Sequence, residues 1–187
     1  MVHDQILVID TETGGLNPQE HSLLSLGMTS WCGQHAQEFF VLEDHLVTNP
    51  RSMEINRIDL DWLRAHGKSP REICEHIDAL LERIPQRPLI LAGHNISFDL
   101  AFLRRLYRLA DRPWPSAFSH RSIDTHSLLW LLAQRGDIPM SACTSDGAFA
   151  YFDIEIPEEQ RHTALADAIA THELLQKILR LFEGMGA

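Results

Sequence analysis

Apolar and polar positions change period several times along the chain, and each change marks an element. Ile6-Leu7-Val8-Ile9 is an unbroken apolar run with three β-branched members, the pattern of a strand buried on both faces. It runs straight into Asp10 and Glu12, which a single residue separates. Leu23 to Cys32 and Ala36 to Leu42 read as two further strands, and Gly33-Gln34 between them predicts a hairpin beside the first strand. The stretch 43–68 is mixed, with short helical pieces over Met53–Arg57 and Asp59–Ala65. Ser69-Pro70 is a helix start, a capping hydroxyl followed by proline. Ile73, Ile77, Leu80, Leu81 and Ile84 then recur at helical spacing until Pro85. Pro88–Ala92 reads as another buried strand, leading to a helix that Ser97 can cap and that runs to about Ala110. Pro113 and Pro115 break it, Arg121–Thr125 predicts a short strand, and helices follow to Gln134, over Asp146–Phe152 and over Thr163–Phe182. Three opening strands followed by alternating helices and strands indicate an α/β layered fold with a mixed sheet. Without repeats, low-complexity tracts or linkers, residues 1–187 read as a single domain.

Composition narrows the class. A chain of 187 residues, 44% hydrophobic and 22% charged, can bury one sizeable core. No apolar run approaches the roughly 20 residues of a membrane span, no secretory leader is visible, and a cytoplasmic protein without membrane partners is expected. Cys32, Cys74 and Cys143 form no close pair and suggest reduced thiols. A net charge of -10 argues against coating nucleic acid by bulk electrostatics, although an enzyme that binds a strand end through metal ions needs local carboxylates.

Side chains alternate along a strand, so Asp10 and Glu12 point the same way. Like charges at the end of a buried strand call for positive compensation, and a hard divalent ion such as Mg²⁺ or Mn²⁺ supplies it; a strand running into an acidic loop is the plainer alternative. Asp99, in the first turn of the helix after the Pro88–Ala92 strand, sits where α/β sheets place ligands, or is an ordinary helix-terminus residue. His162 and Asp167 are five positions apart, about 140° around a helix, so they share a site only if His162 lies in the loop before it. The plainer alternative is a surface histidine beside a dipole-favoured Asp. Together, Asp10, Glu12, Asp99 and Asp167 could bridge two divalent ions about 3.5 to 4 Å apart, with His162 as base for an attacking water. The implied chemistry is phosphodiester hydrolysis.

Asp10-Thr11-Glu12-Thr13, Gly93-His94-Asn95-Ile96-Ser97-Phe98-Asp99 and His162-Thr163-Ala164-Leu165-Ala166-Asp167 resemble, in order, the three motifs of the DEDDh (DnaQ-like) 3'-5' exonucleases. That family includes the proofreading epsilon subunit of bacterial DNA polymerase III, ribonuclease T and oligoribonuclease. The resemblance implies a ribonuclease H-like mixed five-stranded sheet flanked by helices. It implies two Mg²⁺ or Mn²⁺ ions on Asp10, Glu12, Asp99 and Asp167, His162 as general base, and release of nucleoside 5'-monophosphates from single-stranded DNA or RNA 3' ends. It also implies that the backbone of Thr13 and Gly14 holds the 3'-hydroxyl, that Leu16 packs near the terminal base, and that Asn95 orients the ligands from behind. Gly14 departs from many members, and two consecutive glycines predict a looser loop there. A homodimer is reasonable by resemblance to ribonuclease T. The chain ends five residues after Phe182, which favours a freestanding nuclease over an obligate polymerase subunit, while a polymerase or repair partner could still bind the folded surface. The rival is a catalytically silent nucleic-acid-binding module of the same fold.

Arg104, Arg105, Arg108 and Arg112 form a basic cluster that attracts phosphates or is simply a solvated helix face. Phe39, Phe40, Trp62, Trp114 and Phe149 could stack bases, with core packing the better expectation. His94, His120 and His126 fit polar loop or structural roles.

Overall fold

The apolar run at the N-terminus forms the middle of the protein. In this computed structural model, which describes residues 2–157 and 163–185, strand β1 (Ile6–Thr13) is the third of five in a mixed sheet. The others are β2 (Leu23–Ser30), β3 (Ala36–Phe40), β4 (Leu89–Gly93) and β5 (Phe118–Asp124), in the order β3-β2-β1-β4-β5. The hairpin strands pair antiparallel, and β4 and β5 join parallel to β1. This is the ribonuclease H-like arrangement expected from the motifs.

Strand alternation divides the core. Leu7 and Ile9 face helices α3 (Pro70–Glu82) and α4 (Ser97–Leu109), packing with Ile73, Ile77, Phe102, Leu103 and Leu106. Ile6 and Val8 face the long helix α7 (Ala164–Met185) with Leu175. Helices α5 (Thr125–Arg135) and α6 (Ser145–Tyr151) pack on α7 through Leu129, Leu132, Phe149, Leu174 and Ile178. The weak helical pieces of the mixed stretch form α1 (Pro50–Asn56) and α2 (Leu60–His66). Among the described residues no helix is long and apolar enough to cross a membrane.

Local signals set most boundaries. Ser69 caps α3 in a reciprocal box with Glu72, as its sequence predicts. Strand β5 starts three residues earlier than Arg121, because pairing with β4 extends the edge strand through polar Ser119 and His120 to buried Phe118. Ser97 does not cap α4. It is the helix's first residue, and Asn95, at φ 59°, makes the turn into it. Asp124 organises that turn instead, accepting from the Asn95 N–H at 2.7 Å while capping α5.

Candidate active site

Asp10 and Glu12 project from the C-terminal part of β1 to the α7 face, on the side set by Ile6 and Val8. The start of α7 lies directly on the sheet there. Gly27 pairs with Asp10, and a Cβ on Gly27 would come 2.1 Å from the Ala164 carbonyl oxygen. Only glycine lets the helix come so close, and Asp167 stands in its first turn. As a result, Asp10, Glu12 and Asp167 each offer a carboxylate oxygen, all within 4.8 Å of one another, an arrangement that fits a divalent cation.

Asp99 reaches the same end of β1 from the other face. It is 3% exposed, and its Oδ1 accepts a 2.7 Å hydrogen bond from the hydroxyl of Thr11, which alternation points towards α4. Asp99 therefore stands behind the three-carboxylate group, while its charge still acts on it. Burial, then the charges of Asp99, Asp167, Glu12 and Glu38, hold Asp10 well above the usual carboxylate range. Glu12 is pushed up to about 8 by burial, then by Asp167, Glu38 and Asp99. Burial raises Asp99 to about 7 against the Thr11 hydrogen bond, with Asp124 adding to the rise. A site that destabilises its own ionised carboxylates in this way is suited to an external cation.

A model of the exonuclease family matches residues 7–175, which takes in β1 and every element that brings these carboxylates together. The chain belongs to the exonuclease family. Solved structures share the fold. E. coli exonuclease I in complex with a dT13 oligonucleotide superposes with a TM-score of 0.77 at 17% identity, covering 95% of this chain and 42% of that one. The zinc-bound form of an E. coli exonuclease I–single-stranded DNA complex gives 0.74 at 18%, covering 95% and 42%. Exonuclease I from Methylocaldum szegediense gives 0.72 at 20%, covering 94% and 40%. The chain thus spans about two fifths of the length of these exonuclease I structures.

In this exonuclease-family chain the other expected site residues are distributed as follows. His162 lies outside the described residues. The loop of Thr13 and Gly14 is pinned rather than loosened by its glycines. A Cβ on Gly14 would come 2.3 Å from the Val47 carbonyl oxygen, and one on Gly15 would meet the His21 ring at 2.2 Å. The Gly14 N–H donates to Ser22 O, Gly14 O accepts from the Asn49 N–H, and Thr13 O accepts from buried Asn56 Nδ2 at 3.0 Å. Leu16, just beyond, is 79% exposed. Asn95 is exposed; its N–H donates to Asp124, its Oδ1 accepts from the Ser97 hydroxyl and its carbonyl accepts from the Phe98 N–H.

Three of the four arginines meet structural partners, and Arg108 is exposed. Arg105 forms a buried pair with Glu43, Nε to Oε1 at 3.1 Å and Nη2 to Oε2 at 2.7 Å, and also donates to Pro18 O and Gln19 O. Arg104 lies 4.3 Å from the Trp114 ring centroid, and Arg112 pairs with Asp78. Phe39 and Phe149 are core residues, Trp114 packs on the core, and Phe40 meets half-exposed Trp62 edge-on.

Sequence reasoning missed Thr11, Gly27, Glu38 and Asp124. Their contributions depend on strand register and on which face each residue takes, which no local pattern encodes. His94 lines a cavity of about 100 Å³ with Asp10, Asp146, Phe149 and Asp167. Its Nδ1 lies 3.1 Å from the Thr125 hydroxyl and its ring meets His126 edge-on, while burial and His126 hold it below the usual histidine range.

Proposed function

We propose that the protein removes nucleoside 5'-monophosphates from the 3' ends of single-stranded nucleic acid, using divalent cations at the end of β1. The observation that carries this reading is the convergence of Asp10, Glu12 and Asp167 within 4.8 Å, with Asp99 buried behind them, inside an exonuclease-family chain. The exonuclease I relatives bound to a dT13 oligonucleotide and to single-stranded DNA favour DNA as the polymer.

In this mechanism Asp10, Glu12, Asp99 and Asp167 would hold two Mg²⁺ or Mn²⁺ ions, which would supply positive charge for an in-line phosphoryl displacement. His162 takes the proton from the attacking water. The backbone of Thr13 and Gly14 seats the terminal 3'-hydroxyl, and its fixed position keeps the strand end in register with the carboxylates. Leu16 packs against the terminal base, and Asn95, tied to Asp124, steadies the turn that carries Asp99.

The test is digestion of 5'-labelled single-stranded DNA and RNA oligonucleotides with Mg²⁺, Mn²⁺ or EDTA. A ladder shortening from the 3' end, absent in EDTA, is expected. His162→Ala should keep cation binding and lose about two to four orders of magnitude in rate, the scale of a lost general base. Retained oligonucleotide binding without shortening would instead identify a silent binding module.

A further inference from the structure

The two strand pairings align three residues across the sheet. Gly27 of β2 faces Asp10 of β1 on one side and Glu38 of β3 on the other. Residues that face one another across neighbouring strands project to the same side, so Glu38 points to the α7 face as Asp10 does. Two strand spacings separate their backbones, about 10 Å. The intervening residue, glycine, contributes no side chain between them, and the Ala164 backbone at the start of α7 lies directly over it.

Glu38 is held in this row. The hydroxyl of Ser25, a fully buried residue that pairs with Glu12, donates to Glu38 Oε1 at 2.6 Å. The half-buried carboxylate takes part in no ion pair among the described residues. It is also outside the group whose oxygens lie within 4.8 Å of one another. Its charge nevertheless reaches both Asp10 and Glu12.

We propose that Glu38 is a fifth carboxylate of this site, which raises its affinity for divalent cations through its charge without ligating them. The inference rests on the cation reading given above. A negative charge about 8 to 10 Å from a divalent ion, in the partly solvated mouth of a sheet, changes the dissociation constant by about three- to ten-fold at moderate salt.

Calorimetric titration of the full chain with Mn²⁺ tests this without using turnover. Glu38→Gln removes the charge and keeps an acceptor for Ser25; it should weaken Mn²⁺ binding by about three- to ten-fold, and added KCl should narrow the gap. Ser25→Ala keeps the charge and removes the hydrogen bond; it should stay within about twofold of the parent protein. Equal weakening in both variants would assign Glu38 a purely structural role and overturn the inference, as would unchanged binding by Glu38→Gln. Absence of Mn²⁺ binding in the unmodified protein would overturn the cation reading itself.

Discussion

The half-buried carboxylates Asp10 and Glu12 of β1 and the buried carboxylate Glu43, just after β3, have opposite surroundings. Glu43, 5% exposed, accepts from the Ser22 hydroxyl, the Leu23 N–H and both Nε and Nη2 of Arg105, so the chain supplies its own counter-ion. Asp10 and Glu12 face further carboxylates, and among the described residues no Lys or Arg forms an ion pair with either. Desolvating a carboxylate is unfavourable in both places. Where an arginine answers it, the outcome is architecture, since Arg105 also ties α4 to the loop at Pro18 and Gln19. Where no residue of the sheet answers it, the site is suited to a cation from solution.

The largest effect that would break this contrast comes from Asp10→Asn. The rate should fall by about 10³-fold or more, because charge stabilisation by bound cations is worth several kcal/mol. In EDTA the same variant should melt higher than the parent protein, since a neutral amide relieves both burial and repulsion, and Mn²⁺ should no longer raise the melting temperature. Parent-like nuclease activity, or a lower melting point in EDTA, would refute the assignment. Arg105→Ala should do the reverse. It leaves Glu43 buried and unpaired, which costs about 3 to 5 kcal/mol, measurable by urea unfolding. A loss below about 1 kcal/mol would place Glu43–Arg105 with ordinary surface pairs and dissolve the comparison.

The same contrast explains how much of the molecule was legible in its sequence. Asp10 and Glu12 could be placed on one face because alternation is a local rule, and the α3 cap was readable because Ser69 and Glu72 lie within one turn. The pairing of Arg105 could not be read from its helix, since its partner Glu43 is 62 residues away and only the fold joins them. Thr11 and Glu38 were passed over for a related reason. Their importance comes from Asp99 on another helix and from the β2–β3 register, neither of which shows in a stretch of neighbouring residues. Gly14 was read from backbone freedom alone, whereas its position is set by the close approach of Val47.

Gly27→Ala sharpens the comparison at smaller scale. The added methyl group collides with the Ala164 carbonyl and must lift the start of α7, at a cost of about 1 to 3 kcal/mol for an overpacked site. Because Asp167 rides on that turn, Mn²⁺ binding should weaken more than Arg105→Ala would weaken it, although Arg105→Ala destabilises the fold more. Calorimetry and urea unfolding on both variants separate the two effects. Loss of stability with unchanged Mn²⁺ affinity would mean that Gly27 does not set the position of Asp167.

The smallest expected effect is a pH slope. Carboxylates in an unfolded chain titrate near their ordinary values, about 4 to 4.5. In the cation-free fold Glu12 is raised to about 8 and Asp99 to about 7, so between these limits the folded state binds more protons than the unfolded one. Stability contributed by these groups is therefore full at the acid end and lost as pH rises towards 8. In EDTA the melting temperature should drift down by a few degrees from pH 5 to pH 8, and Asp10→Asn should flatten the drift. Cation binding needs the ionised forms, so the gain from Mn²⁺ should be small at pH 5 and grow over the same interval. Arg105, raised by its hydrogen bonds to Glu43, titrates far above this window and adds nothing to the slope. A flat profile in EDTA would mean that Asp10, Glu12 and Asp99 are already ionised without a cation. Some other positive group would then be doing for them what Arg105 does for Glu43, and the distinction between the two sites would fail.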